Sequence, residues 1–544
     1  MSTTSPPPEG PSGPEYLEQG GGEPVPPSSS GGSGRRTPLV AAGAVVLLAA
    51  AGAGTWAAVS FFGSGTQPAE ALPADTLAYA SVDLDPSGSQ KIEAVRTLNK
   101  FPAFKEEFGL NAEDDLRRVI LEEALSDCDS VDYAQDVEPW LGSSFAVAAV
   151  DAGEEQPSVV GVLAVSDAAA AEDGLAALAT CGDEDSGYTV EGDWAYLAET
   201  DEIAQQVADD TGDATLADDT GYQDWTAEVG DPGVATMYAA PGAGAVIADL
   251  MASEMGAQGA SATAGSGAGF ATAEMAPEIP EEMRKAFEDF GGGAATIRFA
   301  DGGVELELAG EVPKGVGTML PSAEGASADL VGTLPVDTAF AYGLALPDNW
   351  TQTFMDMLAS YGLPQQEIDR GLAQAEAQTG LSLPEDLEAL LGEQVALAFS
   401  GGLDLEQLMN SGDPSALPFG VKVRGDADEV NRVVDTLGQR LGMPEMFETE
   451  TDGDMVAWSM NPDYRSSLAG DGGLGGSETF QDVVPEADRS SAVMFVDFDA
   501  GDWLTILSMG DQKVQENLEP LSALGISSRV EGRTTRGLVR LTTD

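Results

Sequence analysis

The sequence predicts an α+β protein with two tandem homologous halves of antiparallel sheet and packed helices, preceded by one transmembrane helix. Three observations predict this fold class. An uncharged stretch of 24 residues lies near the start of the chain, and a set of short motifs recurs in the same order 250 to 262 residues later. Strand-like runs with apolar residues at every second position also alternate with helix-like segments.

The first 62 residues predict a tail and a membrane anchor. Residues 1–38 are dominated by Pro, Gly, Ser and Glu, which is typical of a disordered cytoplasmic tail. Residues 39–62 carry no charge, and about 20 apolar residues are enough to span a bilayer. The alternative, a cleaved signal peptide, is disfavoured by the 38 residues that precede this stretch.

The flanking charges predict the orientation of this anchor. Arg35 and Arg36 stand just before it, and the next basic residue after it is Lys91. Because positive charge stays on the cytoplasmic side, the N-terminus is expected in the cytoplasm and the rest of the chain outside. The expected localisation is therefore a single-pass protein of the cell membrane with an extracytoplasmic C-terminal domain.

An internal duplication is the most informative feature of the remaining chain. Five motifs occur twice in the same order, and each is short. The pairs are Leu72–Thr76 with Leu334–Thr338, Phe108–Leu110 with Tyr361–Leu363, Trp140–Gly142 with Leu390–Gly392, Gly192–Asp193 with Gly453–Asp454, and Tyr222–Asp224 with Phe480–Asp482. Five colinear matches predict two homologous domains.

The duplication sets the expected domain boundaries. The predicted segments are a short linker 63–71, a first ectodomain repeat 72–311 with a flexible Ala/Gly/Ser/Met-rich insertion 252–280, a linker 312–333 and a second ectodomain repeat 334–544. Alternation at Val304–Leu308 predicts half-buried strands, and the spacing of Ile92, Val95 and Leu98 predicts a helix. Together they predict antiparallel sheets with helices packed on one face.

The Leu-Pro-x-Asp-Thr opening, the Trp140-Leu141-Gly142 strand entry and the order of tail, anchor and ectodomain resemble the bacterial family catalogued as domain of unknown function 3352. The resemblance covers roughly residues 70–544 in layout. It implies a membrane-anchored, extracytoplasmic architecture. Because that family carries no established activity, the resemblance implies no functional residues.

Composition excludes several kinds of chemistry. The net charge is −69, from 24 basic and 93 acidic residues, so binding to nucleic acid is not expected. The chain contains no histidine, which excludes Ser-His-Asp and Cys-His catalysis and all His-ligated metal sites. Outside the cytoplasm, Cys128 and Cys181 are expected to form a disulfide; the alternative is two buried free thiols.

Three further patterns resemble sites of known chemistry. Gly470–Gly475 matches G-x-G-x-x-G but lacks a flanking strand and helix, so it is interpreted as a loop. The acidic cluster of Asp209, Asp210, Asp213, Asp218 and Asp219 could ligate calcium, although a solvated loop is favoured. The pairs Asp83 with Asp85 and Asp497 with Asp499 could do acid/base work, but turn formation is the favoured interpretation.

These observations favour a non-catalytic binding or interaction module of the cell envelope, without a cofactor. We expect its partners to be the membrane, through residues 39–62, and an envelope protein, a wall polymer or a hydrophobic ligand. One alternative is an envelope hydrolase that depends on carboxylates. The other is an ectodomain stabilised by calcium or salt.

Overall fold

A computed structural model describes the chain from residue 67 onward, with gaps. The described residues are 67–83, 88–109, 117–118, 121, 125, 128, 131–153, 156–179, 186–212, 214–244, 246, 289–311, 326–347, 350–360, 363–402, 414–501, 503–504 and 511–544. The predicted tail, the predicted anchor with Arg35 and Arg36, residues 63–66 and the insertion 252–280 lie outside these ranges. Within them, none of the helices combines the length and the apolar character that a membrane span requires.

The described strands form one antiparallel sheet of sixteen strands. They are β1 Ala78–Asp83, β2 Leu141–Val150, β3 Ser158–Val165, β4 Gly187–Glu191, β5 Trp194–Ala198, β6 Ala235–Ala239, β7 Gly293–Ala300, β8 Gly303–Glu311, β9 Thr338–Ala345, β10 Gln394–Ser400, β11 Phe419–Arg424, β12 Thr449–Asp452, β13 Met455–Ser459, β14 Ala492–Asp497, β15 Leu521–Glu531 and β16 Thr534–Thr543. Together with the helices, this sheet confirms the predicted α+β class.

The α-helices in the described ranges are short to medium in length. They are α1 Gly88–Leu98, α2 Pro102–Glu107, α3 Ala168–Leu178, α4 Asp201–Thr211, α5 Thr220–Glu228, α6 Ala326–Gly332, α7 Trp350–Ser360, α8 Gln365–Thr379, α9 Glu385–Leu391, α10 Ala427–Leu441, α11 Pro462–Ala469, α12 Glu478–Val483 and α13 Gln512–Leu518. Several begin at a side-chain cap, as where Asp167 accepts hydrogen bonds from two backbone N–H groups of α3 and Asp426 from two of α10.

The strand order repeats between the two halves of the chain. Across the sheet it reads β12-β13-β11-β10-β9-β14-β15-β16-β8-β7-β6-β1-β2-β3-β5-β4. Read outward from the centre, the strands β8 to β4 follow the same order as the strands β16 to β12. The two sets of eight strands meet where β8 pairs with β16, which we call the seam.

The repeated motifs make the same local contacts in each half. Thr76 Oγ1 donates to the carbonyl of Pro73 at 2.7 Å, and Thr338 Oγ1 donates to that of Pro335 at 2.6 Å. In each half the leucine that opens the motif is fully buried. The Leu-Pro-x-Asp-Thr sequence is therefore a buried turn that leads into β1 and β9.

Helices pack on both faces of the sheet, so the prediction of one covered face was wrong. In β2, Ala146 and Ala148 belong to one buried cluster, while Phe145 packs against another cluster on the opposite face. The strands carry apolar residues at both alternating positions, and each face must then be buried separately. We call the face with Phe145 the front face and the face with Ala146 the back face.

Part of the range assigned to the linker 312–333 is packed helix. Leu330 and Val331 of α6 are fully buried in the back-face core of the second half. In the first half, the 3-10 turn Pro68–Ala71 holds a similar place, with Ala69 and Ala71 buried. Each half thus begins, just before its Leu-Pro motif, with a short buried helical turn.

Candidate functional site

The residue patterns singled out from the sequence fall at separate places in the fold. Cys128 is buried, with 9% of its surface exposed, and the described part of the chain holds no free cysteine. Cys181 lies outside the described ranges, so the Cys128–Cys181 disulfide stays a prediction. Asp83 is buried at the end of β1, and its predicted partner Asp85 also lies outside those ranges.

Three members of the acidic cluster, Asp209, Asp218 and Asp219, are engaged in helix capping and surface contacts, while Asp210 is exposed on α4. Asp219 caps α5 by accepting from the N–H of Tyr222 at 2.8 Å, and Asp218 accepts from the Thr215 hydroxyl at 2.9 Å. Asp209 accepts from Gln205 Nε2 at 3.1 Å within α4, while Asp213 lies outside the described ranges. No group of three potential metal ligands converges among the described residues.

The carboxylate pair after β14 is a turn. Asp497 Oδ1 accepts from the backbone N–H of Asp499 at 2.9 Å, and Asp499 Oδ2 accepts from the Ser522 hydroxyl at 3.2 Å. Burial raises the pKa of Asp497, as does the neighbouring charge of Asp499. The geometry is that of an Asx turn, which is the interpretation that the sequence favoured.

The glycines of the Gly470–Gly475 loop allow close contacts within the protein, and these contacts explain the glycines without a bound phosphate. Gly475 packs against Gly332 of α6, and Gly473 is bridged to Pro335. The carbonyl of Gly470 accepts from Lys422 Nζ at 2.7 Å, and the carbonyl of Thr333 accepts from the same amine at 3.3 Å. Lys422 is fully buried, and this burial lowers the pKa of its amine to about 8.

Lys422 is accommodated because the neighbouring strand carries a smaller residue in the second half than at the equivalent position in the first. Lys422 lies between Ala396 and Ala457 in the second half, whereas the same register in the first half places Val162 between Ala146 and Tyr196. A long side chain is therefore accommodated on β11 where the neighbouring strand carries alanine. The amine serves to link α6 to the glycine loop.

The front face carries a line of apolar side chains that sequence reasoning missed. Direct cross-strand pairing aligns one residue from each of six adjacent strands, β10, β9, β14, β15, β16 and β8. We call these residues the apolar row: Leu397, Tyr342, Met494, Ile526, Val539 and Leu306. At about 4.8 Å between strands, the row is about 24 Å long.

The apolar row remains partly exposed to solvent. Tyr342 is 37% exposed, and the other five members are half-buried. None of the six belongs to a buried cluster or packs against one, although the flanking residues Ile297 and Val421 do. The row therefore lies between two covered regions of the same face.

A second line of apolar residues widens this surface. Two residues further along the strands, cross-strand pairs join Phe399, Phe340, Val496, Leu524 and Leu541. All except Val496 are half-buried. We call the two lines together the central apolar face. Side chains of this kind normally pack under a helix in a two-layer fold.

A difference between equivalent helices explains why the face is open. In the first half, α1 lies against β7, and Gln90 exchanges two hydrogen bonds with the backbone of Phe299, at 3.0 and 2.9 Å. In the second half, α7 follows β9 as α1 follows β1. Its Thr351 instead bonds to Glu388 of α9. This helix packs on its neighbouring helices, and β14 and β15 keep their front sides partly exposed.

The sequence does contain a signal for this face. In β9 and β10, small residues alternate with large ones, as in Ala339-Phe340-Ala341-Tyr342. The small residues lie under the back-face helices, and the large ones point to the front. Large apolar residues on the less covered side of a strand are the pattern that could have indicated the face.

The geometry defines an α+β protein built on a continuous duplicated sheet, with an open apolar surface at its centre. Residues 40–185 match the family model described as Protein of unknown function (DUF3352). The match includes the first Leu-Pro-x-Asp-Thr motif and Trp140, and it supports the family resemblance seen in the sequence. No curated protein matches the chain.

Proposed function

We propose that this protein is a non-catalytic binding module of the cell envelope that holds an apolar ligand, the acyl chain of a lipid, on its central apolar face. Residues 39–62 would anchor it in the membrane, with the sheet on the extracytoplasmic side. The observation that carries the proposal is the apolar row, a line of six partly exposed apolar side chains flanked on both sides by covered core.

The dimensions of the row fit an acyl chain. A lipid chain crosses about half of a hydrocarbon core that is about 30 Å thick, or about 15 Å. The row is about 24 Å long, so one chain can lie along it with its full length in contact. Burial of each methylene contributes about 0.8 kcal/mol, so binding is expected to strengthen about fourfold per added methylene.

The expected location places the domain close to its proposed ligand. A domain tethered directly after a membrane span stays close to the lipid surface, which raises the local concentration of lipid. Its large negative charge disfavours adhesion to anionic head groups, so the chain rather than the head group would provide the affinity.

The test uses the full-length chain in membranes. Photoreactive fatty alcohols of increasing chain length, each with a diazirine near the methyl end, are added, and cross-linked peptides are mapped by mass spectrometry. We expect cross-links at Met494, Ile526 or Val539, with yields that rise with chain length. Cross-links confined to residues 39–62 at every length would overturn the proposal.

A matched pair of variants tests the location. Ile526→Asn places an amide in the apolar row, and Val530→Asn places the same amide on the same strand and face but outside the row. We expect the first change to lower the cross-linking yield at least tenfold and the second to leave it within twofold. Equal losses in both variants, or none, would contradict the assignment.

The alternative function, an envelope hydrolase that depends on carboxylates, has less support than lipid binding. It requires one protonated and one ionised carboxyl facing a cleft. The described pair Asp497 and Asp499 forms a turn, and Glu305 and Glu307 on the back of β8 both bind the guanidinium of Arg298. Both pairs are therefore engaged in structural contacts.

A further inference from the structure

A polar groove lies at the seam on the back face, opposite the apolar row. Its floor is formed by β8, β16 and β15, and the segment that follows α12 forms one wall. The volume of the groove is about 260 Å³. Its lining includes Glu305, Glu307, Arg529, Arg536 and Leu538.

The charges in this groove neutralise each other. Arg298 binds Glu305 at 2.6 Å and also binds Glu307. Arg529 binds Glu486 and lies 3.1 Å from Glu531. An anionic ligand would have to compete with these carboxylates, and a cationic ligand would have to compete with the arginines. The groove therefore favours an uncharged ligand.

The groove also retains hydrogen-bonding capacity. Arg536 donates to the backbone carbonyl of Glu228 at 2.8 Å and to the Glu228 carboxylate through its two terminal nitrogens. Its Nε is buried and has no acceptor among the described residues, and a carboxylate oxygen of Glu531 lies 3.7 Å from it. Carboxylates can each accept more than one hydrogen bond, and Ser527 adds a hydroxyl to the lining. Carboxylate acceptors and a hydroxyl thus line the groove beside the ion pairs.

Leu538 and Pro485 add a small apolar patch to this polar lining. A ligand with many hydroxyls and one apolar ring face would match both features. From this combination we infer that the groove at the seam binds a neutral saccharide unit of an envelope glycan. This site is separate from the central apolar face, and the inference does not depend on the lipid proposal.

The experiment measures binding of a neutral β-1,4-linked N-acetylglucosamine tetrasaccharide to the full-length chain in nanodiscs, by calorimetry with empty nanodiscs as the blank. An anionic tetrasaccharide of uronic acids serves as the comparison. We expect the neutral sugar to bind at least tenfold more tightly than the anionic one. Equal or tighter binding of the anionic sugar, or no binding of the neutral sugar, would overturn the inference.

Two variants on neighbouring strands locate the site. Leu538→Trp fills the groove, whereas Val530→Trp adds the same bulk to the opposite face of β15, outside the apolar row. The first is expected to weaken saccharide binding at least tenfold, and the second to change it by less than twofold. Unchanged binding in Leu538→Trp would place the sugar elsewhere and refute the inference.

Discussion

Glu307 and Leu538 lie directly opposite each other where β8 meets β16. The two residues occupy corresponding positions in the two halves. Glu307 pairs with Thr296, two residues before Arg298, and Leu538 pairs with Ser527, two residues before Arg529. The next pair along the strands, Leu306 with Val539, faces the other side of the sheet. One strand register therefore places the polar groove and the apolar row back to back.

The seam tolerates little added volume. A Cβ on Gly303 would lie 2.2 Å from the carbonyl oxygen of Leu541 in β16. We expect Gly303→Ala to lower the free energy of unfolding by about 1–3 kcal/mol, because the backbones of β8 and β16 must separate. The measurement is urea unfolding of the full-length chain.

Gly371→Ala is the control, for which we expect the opposite change in the free energy of unfolding. Gly371 lies within α8, and an added Cβ there would meet no atom within 4 Å. Gly371→Ala should raise the free energy of unfolding by about 0.5–1 kcal/mol, since alanine is the better helix former. If Gly303→Ala left the free energy of unfolding unchanged or raised it, the close approach at the seam would be disproved.

The two Leu-Pro turns should respond alike to loss of their hydroxyls. Thr76 and Thr338 are buried, and each donates to a proline carbonyl within the same turn. Thr76→Val and Thr338→Val should each cost about 1 kcal/mol of stability, because a buried carbonyl keeps the backbone N–H of the same residue but loses the hydroxyl as its second donor. Thr→Ser at either position keeps the hydroxyl and should recover most of that loss. A Val variant as stable as the native chain would contradict the role of the hydrogen bond.

Lys422 should give the protein a rising stability at alkaline pH. Burial lowers the pKa of its amine to about 8 in the folded state, whereas the unfolded chain keeps the usual value near 10.5. Between these values the unfolded state binds more protons, so stability increases with pH by at most about 1.4 kcal/mol per unit. Below pH 8 both states are protonated and this contribution is constant.

Lys422→Met tests that assignment. The difference in unfolding free energy between the native chain and the variant, followed from pH 7 to pH 10.5, should be constant up to pH 8 and then grow in favour of the native chain. A difference that stays constant across the whole range would show that the amine titrates normally, and hence that it is not buried in solution.

Calcium is expected to act on this protein only as a salt. The described acidic residues Asp209, Asp218 and Asp219 accept hydrogen bonds from neighbouring groups. We therefore expect millimolar calcium and sodium chloride of equal ionic strength to raise the melting temperature by the same amount, through screening of the net charge of −69. A larger shift with calcium would mean that an ion binds the native state.

The local features of the fold could be predicted from the sequence. The Leu-Pro-x-Asp-Thr repeat, the strand at Val304–Leu308 and the helix around Val95 follow from motif and periodicity, and the structure contains them. The joining of the two halves into one sheet could not be predicted, because pairing of β8 with β16 depends on contacts that are distant in the sequence.

The candidate sites were harder to predict for the same reason. Met494, Ile526 and Val539 each look like ordinary strand residues, and only the cross-strand register aligns them. Whether they are covered depends on where α7 packs. Tertiary contacts decide whether this helix packs on the sheet or on the neighbouring helices. Lys422 was also unpredictable, because a lysine in a strand is usually solvated and its burial depends on Ala457 on a neighbouring strand.

The seam has a consequence for the order in which this protein can assemble. β8 ends at Glu311, but its partner β16 begins only at Thr534, so β16 is synthesised long after β8. Until β16 arrives, the backbone N–H and C=O groups along one side of β8 are an unpaired edge that can recruit strands from other chains. Folding of this domain during synthesis should therefore require protection of that edge, for example by a chaperone, during the interval between the two strands.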